Sequence, residues 1–552
     1  MKSDIFLIDN ANILTQHRDR PTASAVAWTH GRILALDDAA RALPISHRWD
    51  ANQATLIPGF NDIHAHSVWF GQTLLEVNLG DARSAKDVYD ALIVARQDQN
   101  DGAADADSEN SSDKWLVASG FNPNLLAGDP ITLDGLDDAS GGRPLLIKHN
   151  SGHAMTVNSA ALWRAGVDKN NPPTIEGGEV VVDGEGTATG LLDENAMRLI
   201  QDVVQPESQA EITAALEAAH GEYVREGLTS VTDCGVAGGW IGHSPREIAA
   251  YQAATLSART QIMPTVDVLH SVPHHDADPG GITLDGGIRT GLGDDRLQIG
   301  PMKMFTDGSL LGTTAAMSEN YQCCPHHGYF QGEPEELRVN ALSAASAGWS
   351  LALHAIGDAA VEFAIDVIAE ANAKYESPRV PHRIEHGGVV HDDQIARMAK
   401  HGIVLVPQPR FIRDFGDAMA DKIGAERTAL SYPARRLLAA GMVLPGSSDR
   451  PVAEGAPLKV IESFVRRQTE SGELYGGDDR ISAEEAPICL HRGIRPRHGV
   501  GRNQGADRAG AVGGFRVVGG GPDSGGSRAH LRGTSAGDDH WWPEGPRLIA
   551  TS

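Results

Sequence analysis

Six side chains in this sequence have the types and the order that a divalent metal requires: His64 and His66, then Lys303, His354, His386 and Asp449. The first two stand in TLIPGFNDIHAHSVWF. Residues two apart on a strand point to the same face, so His64 and His66 can reach one cation. Imidazole nitrogens suit zinc and other borderline divalent ions. A His-x-His pair is a weak signal by itself. Here Pro58 and Gly59 mark a turn into the strand, and Asp62 stands beside the pair. Each of the other four closes a short apolar run: Lys303 in IGPMKMFTDGSL, His354 in WSLALHAIGD, His386 in VPHRIEHGGVV and Asp449 in MVLPGSSDRPVA. The chain holds 23 histidines, and for most of them, including His274, His275, His326, His327 and His391, a satisfied buried ring or a surface position is the plain reading. Shared placement at the ends of apolar runs separates the six from the rest.

An apolar run of roughly four to six residues bounded by Gly or Pro is the expected look of a strand buried on both faces. The candidates are DIHAH, LTSVTD, MPTVDVL, MKMFTD, LALHA, RIEHG, IVLVPQ and MVLPGSSD. Helix-like stretches such as DAAVEFAIDVIAEANAKY and DDQIARMAKHG lie between them. Alternating strand and helix predicts an α/β fold with a parallel sheet, and a count of about eight predicts a closed (β/α)8 barrel. Chemistry in such barrels collects at the C-terminal strand ends, where all six residues fall.

The combination PGFNDIHAH, KMFTDGSLLGTTAA, LHAIGDAAV, RIEHG and GSSDRPV resembles the metal-dependent amidohydrolase superfamily, in particular the family-3 branch that includes YtcJ-like proteins and N-substituted formamide deformylases. SGHAMTVNSAAL around His153 and GLTSVTDCG around Asp233 match the same branch, and the resemblance runs from about residue 5 to about residue 486. It implies a TIM-like barrel with a metal centre, a small β-sandwich built from both chain ends, and an inserted α+β domain after the first barrel strand. It further implies His64, His66, His354 and His386 as nitrogen ligands, and Asp449 as weak ligand and general base for a water activated by the metal. Lys303 would carry a carbamate bridging two metals, or stand uncharged or displaced beside a single one. Asp449 could alternatively act only by hydrogen bonding to a ligand histidine. Asn122, His153, Asp307 and Arg383 are the expected substrate-binding residues, with Asn158 also near the pocket mouth. Two departures stand where substrate would be recognised: Thr313 replaces the usual Arg of the GSLGSRTA segment, and GFNPN at Gly120–Asn124 replaces the usual GWD loop. The resemblance therefore carries the reaction class, hydrolysis of an amide, N-formyl or cyclic-amide C–N bond in a small molecule, and not the substrate. A deaminase of the same superfamily is the nearest alternative, and an inactive product of the gene is a different one.

Composition fits this reading. No apolar run approaches the roughly 18 residues of a membrane helix, so membrane anchoring and export are unsupported and a cytoplasmic place is expected. Four cysteines without a CxxC pattern give neither a disulfide framework nor a thiolate zinc site, and adjacent Cys323 and Cys324 read as reduced loop thiols. A net charge of −26 argues against nucleic acid or anionic membrane as partner. Barrels of this branch often pair, which makes a homodimer an expectation.

The expected organisation is a first sandwich segment at 1–57, the His-x-His strand at 58–69, the insertion at 70–225 and the rest of the barrel at 226–486. An acidic stretch at 97–113 within the insertion reads as a solvated loop. Residues 487–552 break the pattern. They hold 15 Gly and 9 Arg against 5 acidic residues, a charge of +4 after a body of −30. Asp507–Arg516 can be written GAT CGA GCC GGG GCA GTT GGC GGA TTT CGT, and one base later this reads IEPGQLADF, which resembles the family's closing signature. The same shift permits family-like text from about Leu490 to about Arg547, including SAHATGSEETKGRIEPGQLADFVLL. We infer a reading frame that shifts near Ala486, with the last barrel helix and sandwich strands replaced by Gly/Arg-rich chain, N-terminal strands short of partners, and poor solubility or weak activity. Sequencing the coding DNA across Ala486 is expected to find a single-nucleotide insertion or deletion; an uninterrupted frame with clean reads removes the inference.

Overall fold

The structure, a computed structural model, describes residues 4–551 apart from 18, 102–113, 150–153, 176–177, 240, 377, 492–514 and 519–549. It divides into two compact units, residues 1–66 with 220–242 and 255–552, and residues 67–219 with 243–254.

The larger unit carries two four-stranded parallel sheets. In one, the strands Leu297–Ile299, Arg259–Pro264, Leu228–Val236 and Phe60–Ala65 lie in that order; in the other, Met302–Phe305, Leu351–Ala355, Arg383–His386 and Val404–Val406. Single parallel bridges link Thr265, just past Arg259–Pro264, to Lys303 of the second sheet, and Ala65 to Arg450, just past the segment MVLPGSSD. Six of the eight expected strands are present, and of a seventh, MPTVDVL, only Met263–Pro264 is strand, closing Arg259–Pro264, while Val266–Val268 is a 3-10 turn. The eighth, MVLPGSSD, makes no ladder: Pro445 has no N–H to give, and the backbone and hydroxyl of Ser448 bond instead to the Asp62 carboxylate.

The apolar runs become these strands because both faces are covered. Every residue of Leu351–Ala355 and Arg383–His386 is buried, as a parallel sheet under crossover helices requires. The helix Asp358–Lys374 buries Ala360, Val361, Ala364, Ile365, Val367, Ile368 and Ala371, a stripe at the helical spacing. The helix Asp392–His401 stops at Gly402, which takes φ 63°, with Lys400 and His401 in its last turn facing the negative end of the dipole.

At the N-terminus, Phe6, Trp28 and Trp49 stack between strands, with ring centroids 5.5 and 5.8 Å apart for the Phe6–Trp28 and Trp28–Trp49 pairs. The strand Thr55–Pro58 is not left without a partner. Phe515–Val518 of the tail pairs with it antiparallel and with Ala550–Thr551 in parallel, since a ladder asks only for backbone N–H and C=O groups. The remaining expectations for the tail beyond His491 lie outside the described residues.

Asp37 anchors this region. Its carboxylate accepts from Ser24 N–H and Oγ at 2.5 and 2.9 Å and from Arg20 Nη2 at 2.6 Å. Burial opposes the charge, but these Ser24 and Arg20 bonds prevail and hold the pKa at about 2. A folded pKa below the ordinary carboxylate value gives stability that is present above about pH 4 and lost as pH falls toward 2. Asp37→Asn is therefore expected to lower stability by about 1–2 kcal/mol at neutral pH. Denaturant midpoints should show that deficit shrinking below about pH 4; an equal deficit in acid contradicts it.

The smaller unit is a six-stranded mixed sheet in the order Gly178–Val182, Ala188–Glu194, Ala154–Val157, Leu145–His149, Leu116–Phe121, Val77–Asn78. The helix Ala85–Asp101 takes in residues 97–101 of the stretch expected as a solvated loop, a continuation of helical spacing from Val88 and Leu92; residues 102–113 lie outside the described ones. Among the described residues no helix is long and apolar enough to cross a membrane.

Candidate metal centre

The His-x-His strand and the segment around Asp449 assemble through Asp62. Its Oδ1 accepts Ser448 N–H at 3.1 Å and His64 N–H at 3.2 Å, while Ser448 Oγ bonds Oδ2. Two backbone bonds complete the docking, Asp449 N–H to His64 O at 2.7 Å and His66 N–H to Arg450 O at 2.9 Å. Asp449 Oδ1 then lies 3.2 Å from His64 Nε2 and 2.9 Å from His66 Nε2, with Oδ2 3.9 Å from His386 Nδ1. His64, His386 and Asp449 present ligand atoms within 4.8 Å of one another. The His354 ring centre is 4.4 Å from that of His386, which is 4.8 Å from that of His64.

The rings of His64, His386 and His354 are each oriented by a bond on the far side. His64 Nδ1 bonds Glu385 Oε2 at 2.6 Å. Arg383 in turn holds Glu385 through Nε at 2.5 Å and Nη2 at 2.9 Å, and donates from Nη2 to Ile63 O at 2.7 Å. All three side chains are at most 1% exposed. His386 Nδ1 donates to Gln408 Oε1 at 2.7 Å, and Gln408 Nε2 is tied to Val406 O and Ser447 Oγ. His354 Nε2 donates to Gly308 O at 3.0 Å. Partners of this kind select the tautomer and aim the other nitrogen inward.

Electrostatics separates the group. Burial pushes His386 well below the usual histidine range, and burial with nearby Lys303 pushes His354 down to about 3, so both are neutral donors. Burial also works against protonation of His64, yet Cys234 and Asp449 hold its pKa well above the usual value. Burial disfavours the Asp449 anion, but His64 and His66 keep its carboxyl well below the usual carboxylate range. The centre is a place that attracts positive charge.

The residues fit a divalent cation. His64 Nε2 faces Asp449 Oδ1 at 3.2 Å without a well-directed hydrogen bond, and the positive charge that its raised pKa places there as a proton is one that a divalent cation can take over. Two electron-rich atoms facing each other in a dry site require positive charge between them. His354 Nδ1 and Lys303 Nζ are likewise buried without a hydrogen-bond partner. Lys303 is 1% exposed, with its ammonium 4.8 Å from the Phe305 ring centre. His386 and Asp449 also take left-handed backbone, φ 75° and 61°. Such strain at non-glycine residues costs on the order of 1–3 kcal/mol each and gathers at functional sites.

Other expected site residues sit elsewhere. Arg383 spends its guanidinium on Glu385 and Ile63. Asp307 accepts the N–H groups of Ala316, Ile356 and Gly357 at 2.8 to 3.0 Å, and burial pushes its pKa up to about 7 against those donors. Arg383 stands behind Glu385 and His64, and Asp307 lies under the loop that holds His354. Asn158 caps the helix Ser159–Arg164, accepting from Ala161 N–H and Leu145 N–H. Asn122 is half-buried before the turn Pro123–Leu125 of the smaller unit, and His153 lies outside the described residues. Sequence reasoning missed Glu385 and Gln408. The available signal was a charged residue inside the apolar strand RIEH, which is rarely buried without a partner.

A model of the amidohydrolase family matches residues 49–492. YtcJ of Bacillus subtilis (strain 168) is 30% identical over 451 residues, 80% of each chain. The N-substituted formamide deformylase of Arthrobacter pascens is 26% identical over 517 residues, 90% of this chain and 89% of that one. A metal-dependent hydrolase from Pyrococcus horikoshii OT3 shares the fold, with TM-score 0.69 at 23% identity over 88% of this chain and 91% of its own. The family match takes in all six residues of the opening series, and the chain belongs to amidohydrolase family 3.

Proposed function

We propose that the chain hydrolyses a C–N bond of the amide, N-formyl or cyclic-amide kind in a small organic substrate, at a divalent metal site held by His64, His66, His354, His386 and Asp449 on a closed (β/α)8 barrel. Convergence of His64, His66, His386 and Asp449 within a dry strand-end site carries this reading. An all-imidazole set with one carboxylate favours zinc, as one or two ions. When bound, the ion lowers the pKa of a water toward about 7 and polarises a carbonyl. Asp449 is the general base: held anionic by His64 and His66, it accepts a proton and returns it to the departing nitrogen. A metal held at Nε2 would keep His64 neutral, with its Nδ1–H donated to Glu385. For Lys303, burial without a hydrogen-bond partner supports the carbamate form, which replaces an unfavourable buried ammonium by an anion that binds cations. The similarity to N-substituted formamide deformylase supports N-formyl amines as the first substrates to try.

The test is a product assay over N-formyl, N-acyl and cyclic amides with zinc supplied, on the chain as given and on a frame-restored version. Carboxylate appearing together with amine supports the reading. Ammonia released from an amidine or aromatic substrate would reassign the chain to deamination.

A further inference from the structure

The loop between Asp307 and Phe330 carries a second set of ligating side chains that the histidine–aspartate centre does not use. Within it, Cys323 Sγ and Cys324 Sγ lie 3.1 Å apart, and His326 Nε2 lies 3.2 Å from Cys324 Sγ. The backbone builds this arrangement. Met317 N–H donates to His327 O and Tyr321 N–H to His326 O, both at 2.8 Å, closing a hairpin, and Gln322 N–H donates to Lys422 O at 2.8 Å. His326 N–H turns back to Cys324 O at 2.9 Å. Pro325 restricts the chain between the second sulfur and the imidazole. Gly328 N–H points at His326 Nδ1 at 3.3 Å, so the neutral ring carries its proton on Nε2, toward sulfur. The Tyr321 ring packs at 5.7 Å and limits the swing of the imidazole.

Accessibility sets this pair apart. Cys323 and His326 are exposed and Cys324 is half-buried, whereas Cys234 and Cys489 are buried. A buried cysteine is an inert small hydrophobe; an accessible one beside a nitrogen donor is a ligand. Two sulfurs on adjacent residues chelate, since the second bond forms within a pair already held together. Soft sulfur selects soft partners over hard cations such as magnesium.

We propose that Cys323 and Cys324 form a chelating dithiol site for a thiophilic ion, a soft d10 cation or a trivalent metalloid, separate from the histidine–aspartate centre, with His326 donating its Nε2–H to Cys324. Each sulfur loses a proton and gains one bond to the ion, without change of oxidation state. With Cys324 S–H donating to Cys323 Sγ, the Cys324 pKa is raised, and binding of the ion expels that proton. The imidazole N–H then stabilises the charge left on Cys324.

Phenylarsine oxide is the probe. Its arsenic–oxygen bond is replaced by two arsenic–sulfur bonds, and the oxygen leaves as water with the two thiol protons. Intact-mass measurement on the reduced full chain is expected to show one adduct that survives washing with a monothiol and is removed by dithiothreitol. Cys323→Ser and Cys324→Ser should each abolish the wash-resistant adduct, and Cys234→Ser should retain it. His326→Ala should slow its formation at least several-fold. No adduct on the parent chain, or an adduct that survives either single substitution at 323 or 324, overturns the site; an unchanged rate in His326→Ala overturns the role of the imidazole. Because these side chains lie on an exposed loop, matched circular dichroism of the variants checks that the fold is intact. Failure here leaves the hydrolase reading standing, as the dithiol shares no residue with it.

Discussion

Asp449→Asn is expected to lower kcat by about 10²–10⁴-fold, the range for removing a positioned general base, while leaving most of the bound metal in place. Asparagine has the same shape and retains a carbonyl oxygen for the position now occupied by Oδ1, 2.9 Å from His66 Nε2 and 3.2 Å from His64 Nε2. It also tolerates the left-handed backbone at φ 61° better than most residues. The docking of the segment survives too, because Asp449 N–H to His64 O and the Ser448 bonds to Asp62 do not involve the substituted group. What is lost is the ability to accept a proton at neutral pH. Steady-state kinetics paired with metal analysis checks the point. Turnover near the parent rate with metal retained would remove Asp449 as the base; loss of metal together with turnover would reduce it to a ligand.

The second large effect is predicted behind the ligands. Glu385→Gln is expected to weaken zinc binding by about 10–100-fold, the scale for an orienting partner of a metal-bound histidine. The amide can still accept from His64 Nδ1, but it cannot answer the Arg383 guanidinium, and a buried charge left without its partner costs about 3–5 kcal/mol of stability. The two effects separate in the double variant Arg383→Met with Glu385→Gln, which removes both charges. Denaturation should show stability largely recovered, and chelator competition should show zinc affinity still weak. Recovery of both would mean that Glu385 serves only to balance Arg383.

The candidate series was legible through two patterns: residues two apart on one strand face, and buried strands ending in polar side chains. Glu385 and Gln408 were hidden because their roles depend on where neighbouring strands place them. His64 meets Glu385 across 321 positions of sequence, and His386 meets Gln408 across 22. Asp307 is expected at the substrate from the resemblance; folding brings three backbone N–H groups onto its carboxylate. Arg383 is likewise expected at the substrate, yet its neighbour Glu385 captures it inside the protein. The strand around MVLPGSSD was overcalled for the opposite reason. Its apolar run is strand-like, but its backbone bonds to the His-x-His strand stop short of a ladder, and side-chain oxygens of Asp62 and the serines add the rest of the docking. The tail strand Phe515–Val518 follows the same logic, pairing through its backbone where composition alone predicted no partner.

The most direct measurement is zinc-dependent hydrolysis by the frame-restored chain after the metal has been stripped. Turnover of an N-formyl amine should vanish with the metal and return when zinc is added back, with one or two ions bound per chain and with both binding and turnover lost in the variant His64→Ala, His66→Ala. Hydrolysis that persists in the stripped protein, or a folded chain that takes up no zinc, would contradict the account.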